Sequence, residues 1–490
     1  MSAPGEDRSV DVTDGELLKP IVFLAIPLVL TQLLQVAYNV ADTFWVGRVG
    51  TDAVAAISFA FPIIFLVISV GGGFTVAGTI LIAQHKGAEN HDEVDHVVGQ
   101  TMSFVLLVSI IASIIGYVFA PQLLTLVGAE AGSAVHEMAV SYTRTWFIGT
   151  VTVFAFFMFQ ALLRGWGDTR TPMYLMTVSV VLNVVLDPFL ILGFENNPVF
   201  SVLGLSALES SLYSMTGFAG LEIQGAAIAT VFSRAVGAVI GIWLLFSGQL
   251  GIRPTLKQFR LKLETVRTIV RLGIPAGIEQ STRALGLSVL TALVAIAGSD
   301  AVAAFGVGSR VYAVFTLLSL GIAQATEVVV GQNLGAEQSE RARRGVLLNA
   351  GIIGGAFAAM SVVVYAFAPE IIDVFLTGEE ESAEVIQMGA EFLMIVGPTF
   401  AFLGVFQILM GAFRGSGSTR IAMGFSILSL WIIQIPIAYG LIQWAGMGET
   451  GVWIAMAVSN VVSVLIAGVW FLRGTWTDGV VEQPPSAPAD

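Results

Sequence analysis

Twelve predominantly apolar runs, each long enough at about 20 residues or more to cross a bilayer as a helix, fill most of the chain. They fall near residues 18–46, 53–80, 95–119, 137–161, 171–194, 224–247, 268–297, 301–329, 345–368, 386–410, 420–443 and 451–472. Such a series leaves little choice of fold. In lipid a backbone must satisfy its own hydrogen bonds, and long apolar runs do so as helices. The expectation is an all-α integral membrane protein. Composition agrees, with 56% of the 490 residues hydrophobic and 12% charged, against roughly 45–50% and 25% in soluble domains.

Several function classes fall away at this level. No cysteine is present, which removes disulfides and thiolate metal sites. The four histidines, His85, His91, His96 and His136, have no ligand spacing, and no GxxxxGK[ST] loop serves ATP hydrolysis. The reading is of a non-enzyme with no cofactor and no nucleic-acid partner, seated in a lipid bilayer and expected to be a monomer. The opening "MSAPGEDRSVDVTDGELLKP" is acidic where a secretory signal is basic and then apolar, so no cleavage is expected. The net charge is −13, and only Lys19, Lys86, Lys257 and Lys262 are lysines among the 22 basic residues; acid-rich, lysine-poor surfaces suit a saline, archaeal type of habitat.

The joints between runs alternate in charge. Lys86, then Arg164 and Arg170, then the group Arg253 to Arg267, then Arg341, Arg343 and Arg344, then Arg414 and Arg420 all lie in even-numbered joints. The odd-numbered joints hold almost no Lys or Arg, Arg48 excepted, and "GEEESAE" is acidic. By the positive-inside rule both termini are expected to be cytoplasmic, in a multi-pass protein of the plasma membrane.

Pairing each residue with the one 248 positions later superimposes "LAIPLVLTQ" on "LGIPAGIEQ", "DAVAA" on "DAVAA" and "QHKGAE" on "QNLGAE"; with a shift of two more residues, "RGWGDTR" meets "RGSGSTR". The expected organisation is two six-helix lobes: an acidic cytoplasmic tail 1–16, an N-terminal lobe 17–248, a basic cytoplasmic linker 249–267, a C-terminal lobe 268–473 and an acidic, Pro-rich cytoplasmic tail 474–490. Six is even, so both lobes face the same way, their pseudo-twofold axis runs along the membrane normal, and a cavity lies between them.

An ionisable group inside a span is costly and marks function by default. The acids that qualify are Asp42, Asp187 and Glu279, and the bases Arg144, Arg234, Arg283 and Arg310; Glu327 and Glu391 are set aside as close to span ends. In the first run Gln35, Tyr38 and Asp42 stand at i, i+3 and i+7 on one helical face. Asn183 and Asp187 stand at i and i+4 before Pro188, and Thr230 enters from the sixth run at a similar depth. Two carboxylates, an amide oxygen and a hydroxyl are hard oxygen ligands that suit a proton or Na⁺, so Na⁺ at Asp42, Asn183, Asp187 and Thr230 is one option. In the second repeat the two acids become Leu290 and Ile435. Glu279 and Arg283, at i and i+4, read as a self-neutralising pair. The Phe-rich run "VFAFFMFQALL", with Gln35, Tyr38, Tyr142, Gln160 and Met176, is the candidate lining of a substrate cavity, and the "RGWGDTR" and "RGSGSTR" segments read as tight turns with anchoring arginines.

Twelve spans in two lobes, "QxxYNVADTFWVGRVG" in the first run, "NVVLDP" in the fifth and "GAAIAT" in the sixth resemble the multidrug and toxic compound extrusion (MATE) family, in its DinF-like archaeal and bacterial branch. The resemblance covers about residues 17–473. It implies a cation-coupled antiporter that exports bulky cationic or amphipathic drugs against H⁺ or Na⁺. It also implies a cation site in the N-terminal lobe at Asp42, Asn183, Asp187 and Thr230, with Tyr38 beside it and Pro27 as the bend point of the first helix. Glu279 departs from other branches, coming only four residues after Pro275. The alternatives are a lipid-linked oligosaccharide flippase of the related superfamily, which would line its cavity with arginines, and a channel or membrane enzyme.

Overall fold

A computed structural model describes residues 9–375 and 383–481; most of the acidic "GEEESAE" joint and the outer parts of both tails lie outside the described residues. Twelve long helical spans follow in order: span 1 Leu18–Gly47, span 2 Thr51–Gly87, span 3 His91–Leu126, span 4 Ala134–Trp166, span 5 Arg170–Leu192, span 6 Glu222–Ser247, span 7 Leu263–Ala295, span 8 Ser299–Gly335, span 9 Ser339–Ala366, span 10 Ala383–Gly415, span 11 Thr419–Gln443 and span 12 Gly448–Leu472. Eleven are both long and apolar enough to cross a membrane. Span 7 has the length at 33 residues, but Glu264, Arg267, Arg271, Glu279 and Arg283 lower its hydropathy. No strand occurs among the described residues.

Local chemistry sets the ends. The Asn90 side chain caps span 3 by accepting from the Glu93 N–H, and Ser133 caps span 4 by accepting from the His136 N–H, each satisfying an orphan first-turn donor. Prolines inside spans are absorbed differently. Span 1 continues as one helix through Pro27, whereas span 11 passes through a π-helical stretch, Leu428–Gln434, just before Pro436. Large apolar side chains such as Ile114, Ile115 and Val118 remain more than half exposed on the outside of span 3, as a surface wetted by lipid rather than water allows.

Two apolar cores form, one dominated by spans 2 to 6 and one by spans 8 to 12. They meet through crossed pairs: span 1 packs on span 8, and span 2 on span 7. These pairs exchange under the 248-residue repeat, so the pseudo-twofold relation holds at the interface itself. Leu24 and Leu28 of span 1 pack with Ala325, Val328 and Val329 of span 8.

At the end of the molecule that carries both termini the seam between the lobes is closed by a doubled latch. Gln84 Nε2 donates to the Gly415 carbonyl at 3.0 Å, and its repeat counterpart Gln332 donates to the Gly165 carbonyl at 3.1 Å. The backbones touch so closely that a Cβ on Gly87 would lie 1.8 Å from the Gln332 carbonyl oxygen, and one on Gly335 would lie 1.9 Å from that of Gln84. Only glycine permits this approach. Both terminal segments cross the seam. Val10 N–H donates to Gly167 O, Asn333 Nδ2 and Arg341 Nε both donate to Val12 O, and the N–H groups of Val480 and Val481 donate to Gln84 Oε1.

Candidate ion and substrate sites

Spans 1, 4, 5 and 6 converge on a polar pocket inside the N-terminal half. Asn183 and Asp187, one turn apart on span 5, are fully buried, and Asn183 Nδ2 donates to Asp187 Oδ1 at 3.0 Å. That bond leaves Asp187 Oδ2 and Asn183 Oδ1 shielded with no hydrogen-bond partner, and Asp42 Oδ1 on span 1 is in the same condition. Asp42 and Asp187 act on each other electrostatically, and both act on the phenols of Tyr38 and Tyr142. The chemistry of these three oxygen acceptors, two on carboxylates and one on an amide, fits a hard cation or an added proton.

The neighbours of these groups differ from a simple lining. Tyr38 donates its hydroxyl to Thr230 Oγ1 at 2.5 Å, so Thr230 joins the pocket through the phenol. Gln35 turns aside: its Oε1 accepts from Arg234 Nη2 at 2.9 Å and its Nε2 donates to Asn39. Arg234, 3% exposed, lies 5.0 Å from the ring centres of Tyr38, Phe156 and Phe157, with Met176 Sδ against Nη1. An aromatic cage of this kind stabilises a desolvated guanidinium. Tyr142 and Met176 are buried in the core of this half rather than facing an open space. Pro27 is buried within span 1, between Leu24 and Leu28.

Between the lobes lies a cavity of about 390 Å³. Among the five residues expected to line such a cavity, Gln160 is the one that faces it, joined by Phe157 of the same Phe-rich run. The cavity's charged wall is larger than the expected Glu279–Arg283 pair. Glu279 Oε1 accepts from Arg283 at 2.9 Å and from Arg414 at 2.8 Å, and Arg414 Nε approaches Glu327 Oε2 at 3.4 Å. Arg283 also donates to Gln407 Oε1.

This corrects the treatment of Glu327 as a span-end residue. Span 8 runs on to Gly335, which places Glu327 well inside the helix at 2% exposure. It likewise corrects the reading of the joint arginines as turn anchors, since Arg414 and Arg164 reach back into the cavity. The repeat held a signal for this: position 327 corresponds to Thr79, next to Arg164, as Glu327 is next to Arg414.

The MatE family profile matches residues 27–189 and 275–440. The chain belongs to the MatE family. The probable multidrug resistance protein YoeA of Bacillus subtilis (strain 168) is 32% identical over 90% of this chain and 90% of its own length. The probable multidrug resistance protein NorM of Thermotoga maritima is 24% identical over 94% of this chain and 93% of its own. The fold is that of a crystal structure of a MATE protein in complex with MaL6, with a TM-score of 0.85 at 24% identity, covering 97% of this chain and 99% of that one. The protein is a multi-pass MatE transporter, with twelve helices in two lobes, and not an enzyme.

Proposed function

We propose that this MatE protein is a multidrug exporter of the plasma membrane that couples outward movement of bulky amphipathic compounds to inward movement of H⁺ or Na⁺. The carrying observation is the set of three shielded, unpartnered oxygens on Asp42, Asn183 and Asp187, shared between span 5 and the helix that packs across the seam on span 8. A proton on either carboxylate, or Na⁺ held by Asp42, Asn183, Asp187 and Thr230, would supply what those atoms lack. The names of the relatives, probable multidrug resistance proteins, support the substrate side of this reading.

Antiport needs ion and drug to compete for one mobile element. Span 1 fills that role: it carries Asp42 and Tyr38 on one side, contains Pro27, and contacts the second lobe through Leu24 and Leu28. With both termini cytoplasmic and the lobes divided at the basic segment 249–267, the latched end is the cytoplasmic one and the cavity opens outward.

The test is dye efflux from proteoliposomes. A fluorescent amphiphile should move under an imposed pH gradient or an imposed Na⁺ gradient, and Asp42→Asn should stop it under either. Movement that is indifferent to both gradients refutes the coupling.

A further inference from the structure

The repeat makes one arginine of the inter-lobe cavity stand out. Arg414 and Arg164 occupy corresponding places, at the head of "RGSGSTR" and "RGWGDTR". Arg414 is neutralised by Glu279 and Glu327. The counterparts of those two acids in the first lobe are Thr31 and Thr79. Arg164 accordingly hydrogen-bonds only to neutral groups, Gln324 Oε1 at 3.3 Å and Thr79 Oγ1 at 3.5 Å; Glu327 acts on it electrostatically, but no carboxylate lies within ion-pair distance among the described residues. Its Nε is shielded and unpartnered, and so is Nε2 of Gln160, one turn earlier on the same face of span 4.

A half-buried guanidinium with no ion-pair contact is costly, and the second lobe shows how this fold neutralises one. Two glutamates face three arginines around the cavity, which leaves one positive charge in excess on its wall, and Arg164 is the one of the three without an ion-pair contact. Phe65, Ile68 and Phe157 supply an apolar wall beside it. Glu279 Oε2 and Glu327 Oε1 are free acceptors, but both belong to side chains already committed to the second-lobe arginines.

We propose that this cavity receives the acidic group, a carboxylate or a phosphate, of an amphipathic substrate, held by Arg164 and Gln160 while the rest of the molecule packs on the phenylalanines. The proposal rests on the reading of the protein as an exporter whose substrates enter this cavity, and it predicts that compounds bearing only positive charge are the poorer ligands.

The test uses matched dyes on the purified full chain, read by fluorescence polarisation with no gradient. Rhodamine 110 has a free carboxylate and rhodamine 123 is its methyl ester; flavin mononucleotide carries a phosphate and riboflavin does not. A charge-assisted hydrogen bond to a half-buried guanidinium should favour the acidic member of a pair by about tenfold or more. Arg164→Gln should erase that preference, and Arg164→Lys should restore part of it, which also guards against a variant that simply misfolds. Preference within the rhodamine pair alone identifies a carboxylate site and within the flavin pair alone a phosphate site. Equal binding within both pairs, tighter binding of rhodamine 123, no binding of any dye, or a preference that survives Arg164→Gln overturns the proposal. Gradient-driven transport in proteoliposomes separates the two readings: binding preference without coupled transport of any dye defeats the exporter reading alone, and preferred transport of rhodamine 123 defeats the acidic-substrate proposal alone.

Discussion

Replacing Gly87 by alanine should spring the closed end of the transporter. The new Cβ would sit 1.8 Å from the Gln332 carbonyl oxygen, roughly half a normal carbon–oxygen contact distance of about 3.3 Å. Both atoms are held by helical backbone, so no side-chain rotation can relieve the overlap and the lobes must part. Parting strains or breaks the two latch bonds from Gln84 and Gln332, at about 1 kcal/mol each. Residual overpacking costs a further 1–3 kcal/mol or so. A shift of about 3 kcal/mol moves the closed-to-open ratio on the order of 100-fold.

The chain has no cysteine, so Ser416→Cys, a near-isosteric change at a residue 1% exposed beside Gly415, reports the seam through its rate of reaction with N-ethylmaleimide. The rate should rise on the order of 100-fold when Gly87→Ala is added. It should not rise with Gly351→Ala, where a Cβ meets nothing within 4 Å. An unchanged rate in Gly87→Ala would mean that the latch does not hold the two lobes together.

Other outcomes are open to direct measurement. Asp42→Asn should abolish ion-driven efflux while dye binding to the purified protein persists, because the amide keeps the volume but neither exchanges a proton nor neutralises Na⁺; retained efflux removes Asp42 from coupling. Glu327→Gln takes a buried partner from Arg414, which keeps Glu279, so unfolding should move down by about 2 kcal/mol, seen as a lower Tm in detergent; an unaltered Tm shows the contact at 3.4 Å to be idle. A cysteine placed in the 249–267 segment should resist an impermeant thiol reagent applied to intact cells, and rapid labelling would reverse the topology.

The helices were legible in the sequence because a span is a local property. Length and apolarity decide it, and ends such as span 1 at Gly47 or span 12 at Leu472 fall within a residue of where the hydropathy stops. Asp42, Asn183 and Asp187 were legible for a related reason: a charged or amide group inside an apolar run is conspicuous on its own, and helical spacing places Asn183 above Asp187 without any knowledge of neighbours. Arg164, Arg414 and Glu327 escaped because each lies at the edge of its run, where a charged residue is ordinary in sequence.

Sequence by itself thus determined the twelve spans, their doubling, and which residues of the first lobe carry hard oxygen atoms. Only tertiary structure decided which charges meet. Arg414 reaches Glu279 across 135 positions of the chain, and Gln84 reaches Gly415 across 331. Such contacts depend on the rotation and depth of helices that pack from opposite lobes, and neither quantity is written in the periodicity of one helix. The physical reason is the same for Arg164 and its missing ion-pair contact: whether a cation of the cavity is paired is a property of the cavity wall, which exists only once the two lobes have closed against each other.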